Sequence, residues 1–268
     1  LLLEAGVSSI IATTRHPEKL ARFAERGVTV RYASFDEPQS LTNAFADANR
    51  LLLISTDALD EVGKRLRQHQ TAANAAKEAG VSHIIYTSLI GADDSPVLFA
   101  PDHAGTEQAI IDSGLGYTIL RNNLYMDLLV QSVGQAYQMG GLYGASEDGK
   151  TSYITREDCA RAAASALLAS FEGKRILNMT GVEALSQADI ANLASSITDK
   201  PLAYHPIPLQ ALIEGMVGAG LPQPVAEVYA SIDVAIAQGT MALVSSDFKA
   251  LTGHTPMTVG EFLKVNLV

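Results

Sequence analysis

The chain has no tryptophan, a single cysteine and no apolar run approaching the ~18 residues of a membrane-spanning helix. One cysteine excludes an intrachain disulfide. Cys159 falls in an alanine-rich helical stretch, 156–170, where it reads as a small core residue rather than a nucleophile. The six histidines are scattered, without the Cys/His spacing of a metal site, so no metal is expected. Basic residues are outnumbered, 19 Lys and Arg against 29 Asp and Glu, and a net charge of −10 leaves no basic surface for nucleic acid. Residues 1–3, all leucine, are too short and lack the basic flank of a signal peptide. The expectation is a cytoplasmic protein, monomer or homodimer, that meets neither membrane nor nucleic acid and acts on a small molecule.

What is present is an alternation. Short apolar, β-branched runs at 9–14, 29–33, 50–55, 83–88, 117–121 and 175–180 are predicted as strands. Helical segments at 19–26, 38–46, 64–79, 105–113 and 156–170 separate them. Leu51 to Ile54 and Ile84 to Tyr86 are apolar at consecutive positions, as in parallel strands covered on both faces. Gly27, Gly80 and Gly114 each follow a helical run, where helix-stopping glycines belong. Strand and helix alternating through short links predict an α/β fold, a Rossmann-like doubly wound parallel sheet. From about Glu183 the character changes to proline-rich turns and helices at 187–197, 210–219, 224–238 and from Thr258, where Thr258 and Glu261 form a capping box. The predicted organisation is a core over 1–182 and a small, mostly helical lobe over 183–268 that is not an independent domain.

A second absence concerns the dinucleotide site. Residues 1–6 read as the end of a helix stopped by Gly6. A Rossmann unit opens with a strand and a G-x-G-x-x-G-type turn before that helix, and neither is in this sequence. About 20 residues, one strand plus a turn and part of a helix, are expected to be missing before Leu1. The next strand ends in Thr13-Thr14-Arg15-His16-Pro17, with Lys19 two residues on. Proteins of this kind that prefer NAD place an acidic residue here for the ribose 2′-hydroxyl; a basic one suits a 2′-phosphate, so the expected cofactor is NADPH.

Ligands of such sheets bind beyond the carboxyl ends of the strands. The residues there are Arg15, His16 and Lys19; Phe35 and Asp36; Ser55, Thr56 and Asp57; Thr87 and Ser88; and Asn122, Asn123 and Tyr125. Small hydroxyls and amides let a flat cofactor approach the backbone, and Asp36 can accept from an adenine amino group. Taken singly, each also serves as a turn or cap residue. The third absence is catalytic: none of the nine tyrosines is followed four residues later by lysine, the pair that short-chain dehydrogenases carry. His103 and Glu107 occupy that region, four apart on one helix face, where a carboxylate favours imidazolium. They are candidate acid/base residues, or a pair that docks the helix and shapes the pocket. Without Tyr-Lys, reduction of a simple ketone lacks the proton donor its alkoxide needs. A quinone makes a hydroquinone anion of phenol-like pKa, about 10, that water can protonate.

The stretch IIYTSLIGADDSP, the D-H-x-x-x-E step and SGLGYTILRNNLYMD together resemble the NmrA-like group of atypical short-chain dehydrogenase/reductases, and within it the bacterial NADPH:quinone oxidoreductases. TTRHPEKL and ASEDGKTSYITREDCARAAA are similar to two further elements of that group, so the likeness spans the chain. It implies an NADPH-dependent oxidoreductase acting on a quinone. It further implies that Arg15 and Lys19 meet the 2′-phosphate and that Ser55, Thr56, Thr87 and Ser88 border the nicotinamide. Asn123 and Tyr125 would border nicotinamide and substrate. The same fold also hosts NADP-holding redox sensors without catalysis, and reductases or epimerases of the extended type.

Overall fold

The structure, a computed structural model, describes residues 1–58 and 61–267. In chain order its elements are β1 (Ile11–Thr14), α1 (Ala21–Ala24), β2 (Thr29–Tyr32), α2 (Pro38–Phe45), β3 (Arg50–Leu53), α3 (Lys64–Glu78), β4 (His83–Leu89), α4 (Ala100–Asp112), β5 (Gly116–Asn122), α5 (Asp127–Met139), β6 (Leu142–Gly144), β7 (Lys150–Thr151), α6 (Arg156–Leu168), β8 (Lys174–Met179), β9 (Leu185–Ser186), α7 (Gln187–Thr198), β10 (Tyr204–Pro206), α8 (Leu209–Gly218), α9 (Gln223–Ala237), α10 (Asp247–Thr252) and α11 (Val259–Asn266). The expected strands and helices are all found, most within two residues of their predicted ends. The helix expected at 19–26 is instead a 3-10 turn, Pro17–Leu20, followed by the short α1.

Contacts divide the chain into two units. One holds Leu1–Ser88, Asp102–Leu120 and Ala163–Leu177; the other holds Leu89–Pro101, Arg121–Ala162 and Asn178–Val268. The second unit therefore takes in more than the stretch after Glu183, including α5 and the amino-terminal part of α6.

The first unit is a Rossmann-like α/β sheet whose pairing is split. β1 and β2 run parallel as one pair, and β3-β4-β5-β8 form a four-stranded sheet in which β3 and β4 run parallel. β4 is sealed, with Ile84, Ile85 and Tyr86 wholly buried. β3 is not: Leu51 and Leu52 are half-buried and Ile54 beyond them is exposed. A cavity of about 700 Å³ explains the difference. It is lined by the consecutive residues Leu51, Leu52 and Leu53 of β3 and by Thr13 and Thr14 of β1. Side chains of consecutive strand residues point to opposite faces, so a space that meets all of them lies against a strand's hydrogen-bonding edge. The Rossmann order, 3-2-1-4-5-6, places one further strand between these two edges; among the described residues none fills it. The core of this unit gathers Leu41, Phe45, Leu53, Ala72, Ala76, Ile84, Tyr86 and Ile119.

In the second unit α5, α7 and α11 pack around Met126, Val133, Ile190, Ala194 and Leu263. Ser186 and Thr258 both close reciprocal capping boxes, with Asp189 and Glu261. Cys159 is buried and burial pushes its thiol up, the behaviour of a core residue. Among the described residues no helix is long and apolar enough to cross a membrane, and no His/Cys/Asp/Glu group is set to hold a metal.

Candidate functional site

The carboxyl ends of β1, β2 and β3 open onto the cavity. Thr14 and Arg15 reach it from β1, Phe35 and Asp36 from β2, and Ser55, Thr56 and Asp57 from β3. The turn presenting Arg15 is tied locally, because Thr14 Oγ1 accepts the His16 N–H at 3.1 Å. Lys19 lies in the following 3-10 turn, outside the cavity lining. Four expected binding residues, Arg15, Asp36, Ser55 and Thr56, are thus brought to one space. The donors and acceptors fit the adenosine 2′-phosphate end of a dinucleotide: a solvent-facing guanidinium for the phosphate, a carboxylate at the cavity wall, and hydroxyls beyond. The G-x-x-G-x-x-G turn that would cradle a pyrophosphate has no counterpart in the sequence.

Two residues that sequence reading missed hold this rim together. Gln68 and His69, both buried, sit side by side on α3. Gln68 Oε1 accepts from Thr56 Oγ1 and Gln68 Nε2 donates to Asp36 Oδ1, each at 2.9 Å. His69 Nε2 accepts the Thr56 N–H at 2.9 Å, and its Nδ1 meets Thr106 Oγ1 at 2.9 Å. The Thr106 hydroxyl donates to the Asp102 carbonyl. Its one proton is spent, so His69 must donate from Nδ1 and is fixed as a neutral tautomer. Burial, reinforced by the Arg65 charge, lowers its pKa to about 4. Ser55 is anchored as well, its N–H donating to Thr87 Oγ1 at 2.9 Å.

The setting of His103 and Glu107 favours the second of their two expected roles, docking the helix. Both are buried. Arg65 donates to His103 Nε2 at 2.9 Å, which leaves the ring proton on Nδ1, where it meets Tyr86 Oη at 2.9 Å. Burial, then the charge of Arg65, holds His103 well below its ordinary pKa, so neither cause leaves it an imidazolium. Glu107 accepts from Ser88 Oγ at 2.5 Å. The pair docks α4 onto β4 and α3. The hydroxyl of Ser88, expected beside the nicotinamide, is likewise spent on α4.

Asn123 and Tyr125 belong to the second unit. The Asn123 amide is fully used within it: Nδ2 donates to Ser152 Oγ at 2.7 Å and to the Met241 carbonyl at 2.9 Å, and Oδ1 accepts the Leu124 N–H at 2.8 Å. It holds three segments together, and both of its amide donors are engaged there. Tyr125 is half-buried, with the Arg156 guanidinium 4.9 Å from its ring centroid.

A strand-end cavity with a basic residue at its rim is where the comparison with known proteins becomes decisive. The NAD(P)H-binding family matches residues 1–170. The chain is an NmrA-like member of the NAD(P)H-binding family. An NmrA-like oxidoreductase of Aspergillus flavus is 30% identical over 72% of this chain and 64% of its own length. Quinone oxidoreductase 2 of Escherichia coli is 36% identical over 97% of this chain and 90% of its own. The crystal structure of the NADPH-dependent E. coli enzyme with NADPH matches at a TM-score of 0.93 and 34% identity, over 99% of this chain and 94% of that one. The match bears out the α/β Rossmann-like fold, including its parallel sheet.

Proposed function

We propose that this chain is an oxidoreductase that passes hydride from NADPH to a quinone. The observation that carries the reading is the cavity beyond β1, β2 and β3 with Arg15 at its rim, on a fold similar to the E. coli NADPH-dependent quinone oxidoreductase. When bound, NADPH supplies the hydride. Arg15 pairs with the 2′-phosphate through a planar fork of donors, a contact that NADH cannot make. The Ser55 and Thr56 backbone is held rigidly against the cavity, which favours orientation as the main source of rate. Tyr125 is the proposed substrate-facing residue, on the family resemblance, and Lys19 adds long-range positive charge beside Arg15. His103 and His69 are neutral and buried, so neither supplies an imidazolium proton to the acceptor. That favours an acceptor whose reduced anion can take its proton from water or a weak donor, and a quinone meets that requirement. Two electrons and the hydride's proton reach the quinone, and the second proton comes from solvent. A cytoplasmic setting and a monomer or homodimer complete the proposal.

Steady-state oxidation of NADPH tests it. Turnover above the protein-free rate is expected with a small naphthoquinone and none with cyclohexanone; reduction of the ketone alone would overturn the substrate class. Arg15→Asp removes a charge-assisted pair and adds a repulsion. It is expected to lower the NADPH-over-NADH preference by about 100-fold, ~2.7 kcal/mol. An unchanged ratio would remove Arg15 from the phosphate site.

A further inference from the structure

Gln68 has a position that none of the strand-end residues shares. It lies on the second turn of α3, yet its one amide spans the ends of two strands, taking the Thr56 hydroxyl on its oxygen and giving an N–H to Asp36. Asp36 follows β2, at the adenosine end of the cavity, and Thr56 follows β3. A primary amide is the side chain that can do both, since it offers an acceptor and donors on one planar group. A carboxylate there would oppose Asp36, and an aliphatic chain would make neither bond. Next to it, His69 fixes the backbone of Thr56 and is itself locked by Thr106. The result is a strap: one turn of α3 sets the spacing between the two loops that line the cavity.

We propose that Gln68 is a positioning residue of the dinucleotide site, holding the Asp36 and Thr56 loops at the spacing NADPH requires. The inference rests on the proposed NADPH-dependent function for its ligand. Its structural part stands on the hydrogen bonds alone.

The test uses donor and acceptor exchange. Gln68→Glu sets two carboxylates against each other and is expected to weaken NADPH binding, read by calorimetry, at least 10-fold. Asp36→Asn keeps an acceptor for Gln68, and its own affinity is the reference for the double variant. In the double variant the amide introduced after β2 donates to the carboxylate introduced on α3. The bond re-forms in reverse, and affinity should return to within threefold of the Asp36→Asn single variant. A direct contact of Gln68 with the cofactor would not be rescued in this way. Gln68→Met, which removes both bonds without adding charge, should weaken binding several-fold and gain nothing from Asp36→Asn. Amide hydrogen exchange of the 34–37 and 55–57 segments, measured without cofactor, should rise in Gln68→Glu and return in the double variant. Unchanged exchange together with unchanged affinity would overturn the strap. Wild-type protein that fails to bind NADPH would overturn the proposed function instead, with exchange still deciding whether the strap exists.

Discussion

Adding an apolar strand and a G-x-x-G-x-x-G turn ahead of Leu1, so that the strand lies between β1 and β3, is expected to tighten NADPH binding by about 100-fold. Two features of the first unit lead to this. The facing edges of β1 and β3 are not hydrogen-bonded to each other and border a cavity of about 700 Å³, and β1 with β2 and β3 with β4 pair in the parallel sense. An inserted strand would pair on both sides and bring Leu51 and Leu52 to the burial that Ile84 and Ile85 already have. The turn following it would present backbone N–H groups to the pyrophosphate. Hydrogen bonds to a charged group are each worth about 1.5–3 kcal/mol, so even one or two give roughly two orders of magnitude in affinity. Calorimetry on the two chains side by side reads the effect. Equal affinities would mean that the cavity is not a strand slot and that the pyrophosphate is held by other groups.

The second large effect is on stability in acid. His69 and His83 are buried and neutral, each with a pKa lowered to about 4. For both, burial is the main cause. Arg65 adds to it at His69, and Arg50 and Arg175 at His83. His103 is lowered in the same direction. An unfolded histidine titrates near 6.5, so between pH 6.5 and 4 the unfolded chain binds more protons than the folded one. Stability is therefore full above pH 6.5, falls as the pH drops toward 4, and levels off below it. Each of the two lowered histidines contributes on the order of 3 kcal/mol to that fall. Together they approach the whole stability of a typical domain, about 5–15 kcal/mol. Asp102 and Asp233, raised by burial, oppose the trend only near the acid end. Urea midpoints are expected to be level from pH 8 to 7 and to collapse between pH 5 and 4. His83→Gln should flatten part of that limb; an unchanged midpoint at pH 4.5 in wild type would contradict the neutral burial of these rings.

The sheet was legible because its strands carry both signals that hydropathy can hold: continuous apolar runs and glycine stops. Gly27, Gly80 and Gly114 all take positive φ, as helix-ending residues of that kind must. β6, β7, β9 and β10, of two or three residues each, are too short to carry a period. α5 was missed although the signal existed: Leu129, Val133 and Ala136 line one buried face and Gly140 caps the end in the left-handed region.

At the site, Arg15, Asp36, Ser55 and Thr56 were visible because strand ends are where ligands of such sheets bind. Gln68 and His69 were not, because they lie in the polar run KRLRQHQ, and hydropathy does not separate an inward polar side chain from an outward one. His103 and Glu107 were read as a pair from their helical spacing. They bond to Arg65, Tyr86 and Ser88, on α3 and β4, and no local pattern reveals those partners.

Two-electron transfer from NADPH to a quinone leaves a stoichiometric record. Anaerobic mixing of the chain carrying the added strand and turn with NADPH and a para-benzoquinone, following nicotinamide oxidation and hydroquinone together, reads it. One hydroquinone per NADPH consumed is expected, formed faster with NADPH than with NADH by tenfold or more. NADPH bound but not consumed above the protein-free rate would contradict it.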